Sequence, residues 1–127
     1  MAHILIVDDS PSEVLMLSDI VRRGGHRVST ASTAIEGIEL ARETRPDLIL
    51  MDVVMPEMNG FQATRSLSRD PDTARIPVII VTSKTMETDR AWGMRQGARD
   101  FVMKPVRDRD LLERIGSVLD ADGTAAT

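Results

Sequence analysis

Five short, mostly apolar runs punctuate the chain, at Ile4 to Val7, Val28 to Ala31, Leu48 to Met51, Val78 to Val81 and Asp100 to Met103. Their lack of an alternating polar face is the pattern of parallel strands covered on both sides. Between them apolar positions take up helical spacing over Pro11 to Arg23, Ala34 to Arg45, Phe61 to Arg69, Met86 to Gln96 and Arg109 to Leu119. The last helix is the clearest, with Leu111, Ile115, Val118 and Leu119 on one stripe. Ser10 with Pro11 suits a helix start and Asp108 a cap for the last helix, while Gly24-Gly25, Pro46, Pro71, Pro77 and Gly97 fall where helices stop or strands begin. This alternation predicts a doubly wound α/β sheet with helices on both faces. In such sheets the ligand sits beyond the carboxyl ends of the strands, near the switch in strand order.

The residues at those ends are Asp8-Asp9 after the first strand, Asp52 after the third, Thr82-Ser83 after the fourth and Lys104-Pro105 after the fifth. An acid after a strand is usually a turn or cap residue and a lysine usually solvated surface, but the fold brings these four segments to one rim. Three carboxylates held together raise one another's pKa unless a cation lies among them. With oxygen the only donor type, a hard divalent ion fits, and Mg²⁺ uses few carboxylates and completes its shell with water and phosphate oxygens. An aspartate there can act as a nucleophile toward phosphorus, with a lysine and a hydroxyl stabilising the transferring group. Lys104 and Thr82 supply those parts.

The 127 residues make one domain, expected over 1–120 with a fraying tail at 121–127. The chain contains no cysteine and lacks both a secretory-type start and an apolar run near the roughly 20 residues of a membrane span, so the cytoplasm is the expected compartment. A formal charge of −4, with Phe61, Trp92 and Phe101 the only aromatics, argues against nucleic acid as a partner. His3 and His26 lie away from the rim and read as structural. Trp92 reads either as a partner anchor or as a ring half covering its neighbours, the methionines as core filling, and Arg90, Arg95, Arg99 and Arg107 as a solvated face.

The segments Ile4-Leu-Ile-Val-Asp-Asp-Ser-Pro, Asp52-Val-Val-Met-Pro-Glu-Met-Asn-Gly, Val81-Thr-Ser and Gly97-Ala-Arg-Asp-Phe-Val-Met-Lys-Pro resemble the signature of response-regulator receiver domains, over roughly residues 3–120. The resemblance implies a flavodoxin-like, CheY-like five-stranded sheet of order 2-1-3-4-5, with Asp52 as phosphoacceptor. It further implies that Asp8, Asp9, Asp52 and the Val54 carbonyl hold Mg²⁺, for which Mn²⁺ can substitute. Thr82 would bond a phosphoryl oxygen, Lys104 would pair with another, and Phe101 would be the switch ring. A cis bond before Pro105 would aim the lysine, and Val54 and Lys84 would occupy the two positions that tune hydrolysis. Phe101 and Ser83 stand where the family more often has Tyr and Ala. Gly60-Phe-Gln-Ala-Thr-Arg, Ile76-Pro-Val-Ile-Ile-Val-Thr-Ser-Lys and Glu87 to Asp100 look similar to the PilH-type regulators of chemotaxis-like systems that control type IV pili.

The resemblance thus implies a phosphoacceptor switch without an output domain, monomeric and not an enzyme in its own right. Its partners would be a histidine kinase or histidine phosphotransfer domain, and a target protein meeting the face of the fourth helix, fifth strand and fifth helix. Two other readings compete. An aspartate-nucleophile phosphatase needs a second Asp two residues after the nucleophile, where this chain has Val54. A phosphorylation-independent interaction module would have lost Asp52 or Lys104, and both are present.

Overall fold

The protein is described by a computed structural model covering residues 1–83 and 87–121, with the backbone alone at 87–89. The elements run β1 (His3–Val7), α1 (Pro11–Arg23), β2 (Arg27–Ala31), α2 (Ala34–Thr44), β3 (Leu48–Met51), α3 (Gly60–Arg69), β4 (Val78–Thr82), α4 (Glu87–Arg95), β5 (Asp100–Met103) and α5 (Asp108–Ala121). Every expected element is present, with ends shifted by one or two residues. The strands form one parallel sheet of order β2-β1-β3-β4-β5.

Side-chain alternation along the strands sorts the core into two layers. Leu5, Val7, Ile49, Met51, Ile80 and Phe101 point to the face that α2 and α3 cover with Ala41, Phe61, Ala63 and Leu67. Ile4, Ile6, Leu48, Leu50, Ile79 and Val102 point to the other face, under Leu17, Ile20 and Val21 of α1 and Leu111, Ile115 and Leu119 of α5. Each buried Val, Leu, Ile, Met or Phe side chain among these contributes about 1.5 to 3 kcal/mol of transfer free energy, so the apolar runs of the sequence supply much of the stability of both layers.

The helix starts are fixed by side chains. Asn59 and Gln62 make a reciprocal capping box at α3, and the Thr33 hydroxyl accepts from the Glu36 N–H at α2. Asp108 differs from its expected capping role. The Leu111 N–H already donates to the Arg107 carbonyl, so α5 starts one residue earlier and the Asp108 carboxylate pairs with Arg23 at 2.7 Å. Met51 and Met55 fill the core as expected, whereas Met94 and Met103 are exposed.

Candidate functional site

The ladder itself assembles the rim. Val7 lies opposite Met51 in adjacent parallel strands, so the next residues, Asp8 and Asp52, leave the sheet side by side. Asp52 N–H donates to the Val7 carbonyl at 2.9 Å and Asp8 N–H to the Ala31 carbonyl at 3.1 Å. On the other side the Lys104 N–H donates to the Thr82 carbonyl at 2.8 Å, which ties the end of β5 to the end of β4. The Lys104–Pro105 peptide is cis.

Oxygens of Asp8, Asp9 and Asp52 lie within 4.8 Å of one another. Asp8 and Asp52 are buried, Asp9 is exposed, and Thr82, at the end of β4, is fully buried. The Lys104 amine reaches into this cluster, 3.0 Å from Asp8 and 3.5 Å from Asp52. Burial and then the neighbouring Asp8 charge push the Asp52 carboxyl up to about 6, against the opposing pull of Lys104 and the Val53 N–H. Burial alone would lower the Lys104 ammonium, but its hydrogen bond to Asp8 and the charges of Asp52, Asp8 and Glu13 hold it above the ordinary lysine value. One cation thus faces several carboxylates. The oxygen-only donor set and the raised Asp52 both fit a divalent ion such as Mg²⁺.

Two contributors escape the sequence pattern. Glu13 places a carboxylate oxygen 3.8 Å from the Lys104 amine, and that buried oxygen has no hydrogen-bond partner. Ser10-Pro-Ser-Glu13 reads as a capping box, and the Ser10 hydroxyl does accept weakly from the Glu13 N–H at 3.4 Å. The return bond is missing because the Ser10 N–H donates to Asp8 at 2.9 Å, which frees the Glu13 carboxylate to face the lysine. The second is Gly60, whose N–H donates to the Val53 carbonyl at 2.9 Å. A Cβ there would lie 2.0 Å from the Asp52 carbonyl oxygen, so only glycine lets α3 start directly against the Asp52 backbone.

The remaining expected residues are spread out. The Val54 side chain is 58% exposed. Phe101 is buried, close to Gly93 of α4, where a Cβ would lie 3.5 Å from the ring. Lys84 and Met86 lie outside the described residues. His3 and His26 are structural: the His3 ring bonds the Ser29 hydroxyl, and the His26 Nδ1 accepts from the Ala2 N–H. No helix among the described residues is long and apolar enough to cross a membrane.

Comparison with known proteins converges with this geometry. The family model of the response regulator receiver domain matches residues 4–116. Protein PilH of Pseudomonas aeruginosa is 55% identical over 119 residues, covering 94% of this chain and 98% of that protein. A CheY-like receiver domain protein from Methanospirillum hungatei superposes with a TM-score of 0.89 at 30% identity, over 98% of each chain. The receiver domain of a sensor histidine kinase from Pseudomonas aeruginosa, with magnesium coordinated in its active-site cleft, gives a TM-score of 0.87 at 28% identity, over 94% of this chain and 98% of that one.

Proposed function

The chain belongs to the response regulator receiver domain family, and from that premise we propose that it accepts a phosphoryl group from a phosphohistidine onto Asp52 and signals by protein contact. The observation that carries this reading is the Lys104 amine held between Asp8 and Asp52 in an otherwise acidic, oxygen-lined rim. Asp8, Asp9, Asp52 and the Val54 carbonyl are the groups that would hold Mg²⁺. When bound, that ion offsets the carboxylate charge and the charge of the incoming phosphoryl group.

An Asp52 oxygen forms the new bond to phosphorus as the bond from phosphorus to the donor's imidazole nitrogen breaks, and the bonding pair leaves with the imidazole. Lys104 already spans Asp8 and Asp52, so a small displacement brings its ammonium onto a phosphoryl oxygen. The Thr82 hydroxyl donates to another. The added charge of about −1.5 to −2 draws Thr82 toward the rim, and the change passes to Phe101 and to the α4-β5-α5 face. Met94 on α4 and Met103 on β5 are exposed there and give a target protein adaptable apolar surface.

The likeness to PilH supports a place in the chemotaxis-like regulation of type IV pili, with a histidine kinase or histidine phosphotransfer domain as donor. The phosphatase reading is disfavoured because Val54 offers no acid where that chemistry needs one. Incubation with acetyl phosphate and Mg²⁺, followed by intact mass measurement, tests the assignment. Wild type gains one phosphoryl group and Asp52→Ala gains none; an unmodified wild type, or equal labelling of the variant, overturns it.

A further inference from the structure

Away from the acidic rim, α3 and α4 bring three guanidiniums around an indole. Arg65 and Arg69 are one turn apart on α3, Trp92 and Arg95 one turn apart on α4, and with Gln96 they line an open cleft of about 310 Å³. No carboxylate among the described residues lines it. Four arginines outside the cleft are paired with carboxylates: Arg23 with Asp19 and Asp108, Arg42 with Asp70, Arg45 with Asp72, and Arg114 with Asp100 and Asp110. None of the three cleft guanidiniums has such a partner among the described residues. Trp92, the chain's sole tryptophan, is 49% exposed beside them.

The cleft is held open by fixed contacts. The Ser68 hydroxyl of α3 shares its proton between the Arg65 carbonyl at 3.0 Å and the Gln96 carbonyl just past α4 at 3.1 Å. Gly97, at φ 110°, then turns the chain where a Cβ would press on Ser68 at 3.0 Å. The two helix surfaces are therefore set at a defined separation before anything binds, which lowers the ordering cost of an occupant.

We propose that this α3–α4 cleft is a docking site for an acidic segment of a partner protein, whose carboxylates take the Arg65, Arg69 and Arg95 guanidiniums while an apolar side chain lies on Trp92. Guanidinium forks match carboxylates two bonds at a time, and Arg and Trp are the side chains that most often dominate protein interfaces. Charge complementarity favours a short acidic segment over a nucleic acid. The three guanidiniums sit on a chain of net charge −4, so a long polyanion meets net repulsion beyond the cleft. The site lies apart from the phosphorylation rim, and the proposal does not depend on phosphoryl transfer.

Trp92 makes the test direct, because its fluorescence reports the cleft alone. Titration of the full-length protein with an oligo-glutamate peptide containing leucine should give a saturable change that weakens as salt rises, and oligo-lysine should give none. Arg65→Ala with Arg95→Ala should weaken binding by about tenfold or more, as expected for lost charged hydrogen bonds. Both positions are exposed, and unchanged circular dichroism and acetyl phosphate labelling would show that the variant is folded. Equal affinity in the variant, no saturable change in wild type, or tighter binding of a single-stranded oligonucleotide than of the peptide each overturns the proposal.

Discussion

At the amino end of the sheet the His3 N–H donates to Asp47 at 2.8 Å, the Ala2 N–H to the His26 ring at 3.1 Å and the buried Thr73 hydroxyl to the Leu67 carbonyl at 2.7 Å. At the carboxyl end Asp8, Asp52 and Glu13 share the Lys104 amine, Asp9 lies beside Asp8 and Asp52, and one Glu13 oxygen is buried without a hydrogen bond. The same strands carry both ends, so the contrast is one of side chains and not of backbone order. Polar groups at the amino end are matched to one another and hold the loops. Those at the carboxyl end are mismatched by charge, one amine against several carboxylates, an excess of negative charge that an added cation would offset.

Substitutions at the two ends should therefore act with opposite sign. Thr73→Val leaves the Leu67 carbonyl, near the end of α3, buried without its donor and should destabilise the fold by about 1 to 3 kcal/mol. Chemical denaturation measures this, and a loss well below 1 kcal/mol would show that water replaces the hydroxyl and that the amino end is less closed than its burial suggests.

Asp52→Asn should do the reverse in metal-free buffer. The Asp52 carboxyl, displaced upward to about 6 from an ordinary value of 3.8, is less readily ionised in the fold than in the unfolded chain. The folded state therefore loses stability as pH rises from about 4 through 6, and that penalty is fully present above it. Removing the charge should stabilise the metal-free protein by about 1 to 2 kcal/mol at pH 7.5, below the full linkage value because water screens the rim. The gain should shrink as pH falls below 6, where the wild-type carboxyl is protonated. His26 runs the other way: burial, then the N-terminal charge, lowers its pKa, so its contribution is intact above about 6.5 and falls at lower pH as the ring must take a proton and release the Ala2 N–H. Denaturation midpoints of wild type and Asp52→Asn across pH 4 to 8 separate the two ends. A stability difference that stays constant over that range would break the contrast.

The same contrast explains what could be read from the chain. The five apolar runs and the spacing between them are local signals, and they place every strand and helix to within two residues. The rim could be read because a parallel sheet has one carboxyl end, so residues that directly follow strands must meet. Glu13 escaped because its spacing from Ser10 satisfies a capping pattern, and only the diversion of the Ser10 N–H to Asp8 shows that the carboxylate has another use. The arginine cleft escaped for a different reason. Arg65, Arg69 and Arg95 each sit on an exposed helix position that reads as solvated surface, and their convergence depends on how α3 and α4 are rotated toward each other, which no local pattern fixes. Met94 and Met103, apolar residues that suggest core filling, are exposed for the same reason.

The smallest effect expected concerns how long the rim keeps what it receives. Loss of the phosphoryl group requires a water in line with the bond from phosphorus to Asp52, so its rate depends on side chains that can orient that water. Val54 follows Asp52 by two residues, is 58% exposed and has neither donor nor acceptor, so it leaves an approaching water unguided. Asparagine is close to valine in size and adds a donor and an acceptor without adding charge, so it leaves the electrostatics of the Asp8, Asp52 and Lys104 cluster unchanged. Val54→Asn should therefore shorten the phosphoryl lifetime by about threefold, which is less than 1 kcal/mol of barrier, while uptake from acetyl phosphate stays close to wild type. Intact mass measured over time after removal of the donor gives both rates. If the Asn variant decays no faster, water at this rim is oriented by backbone or by Lys104, and the lifetime is set by the charged cluster instead of by the side chain at its edge.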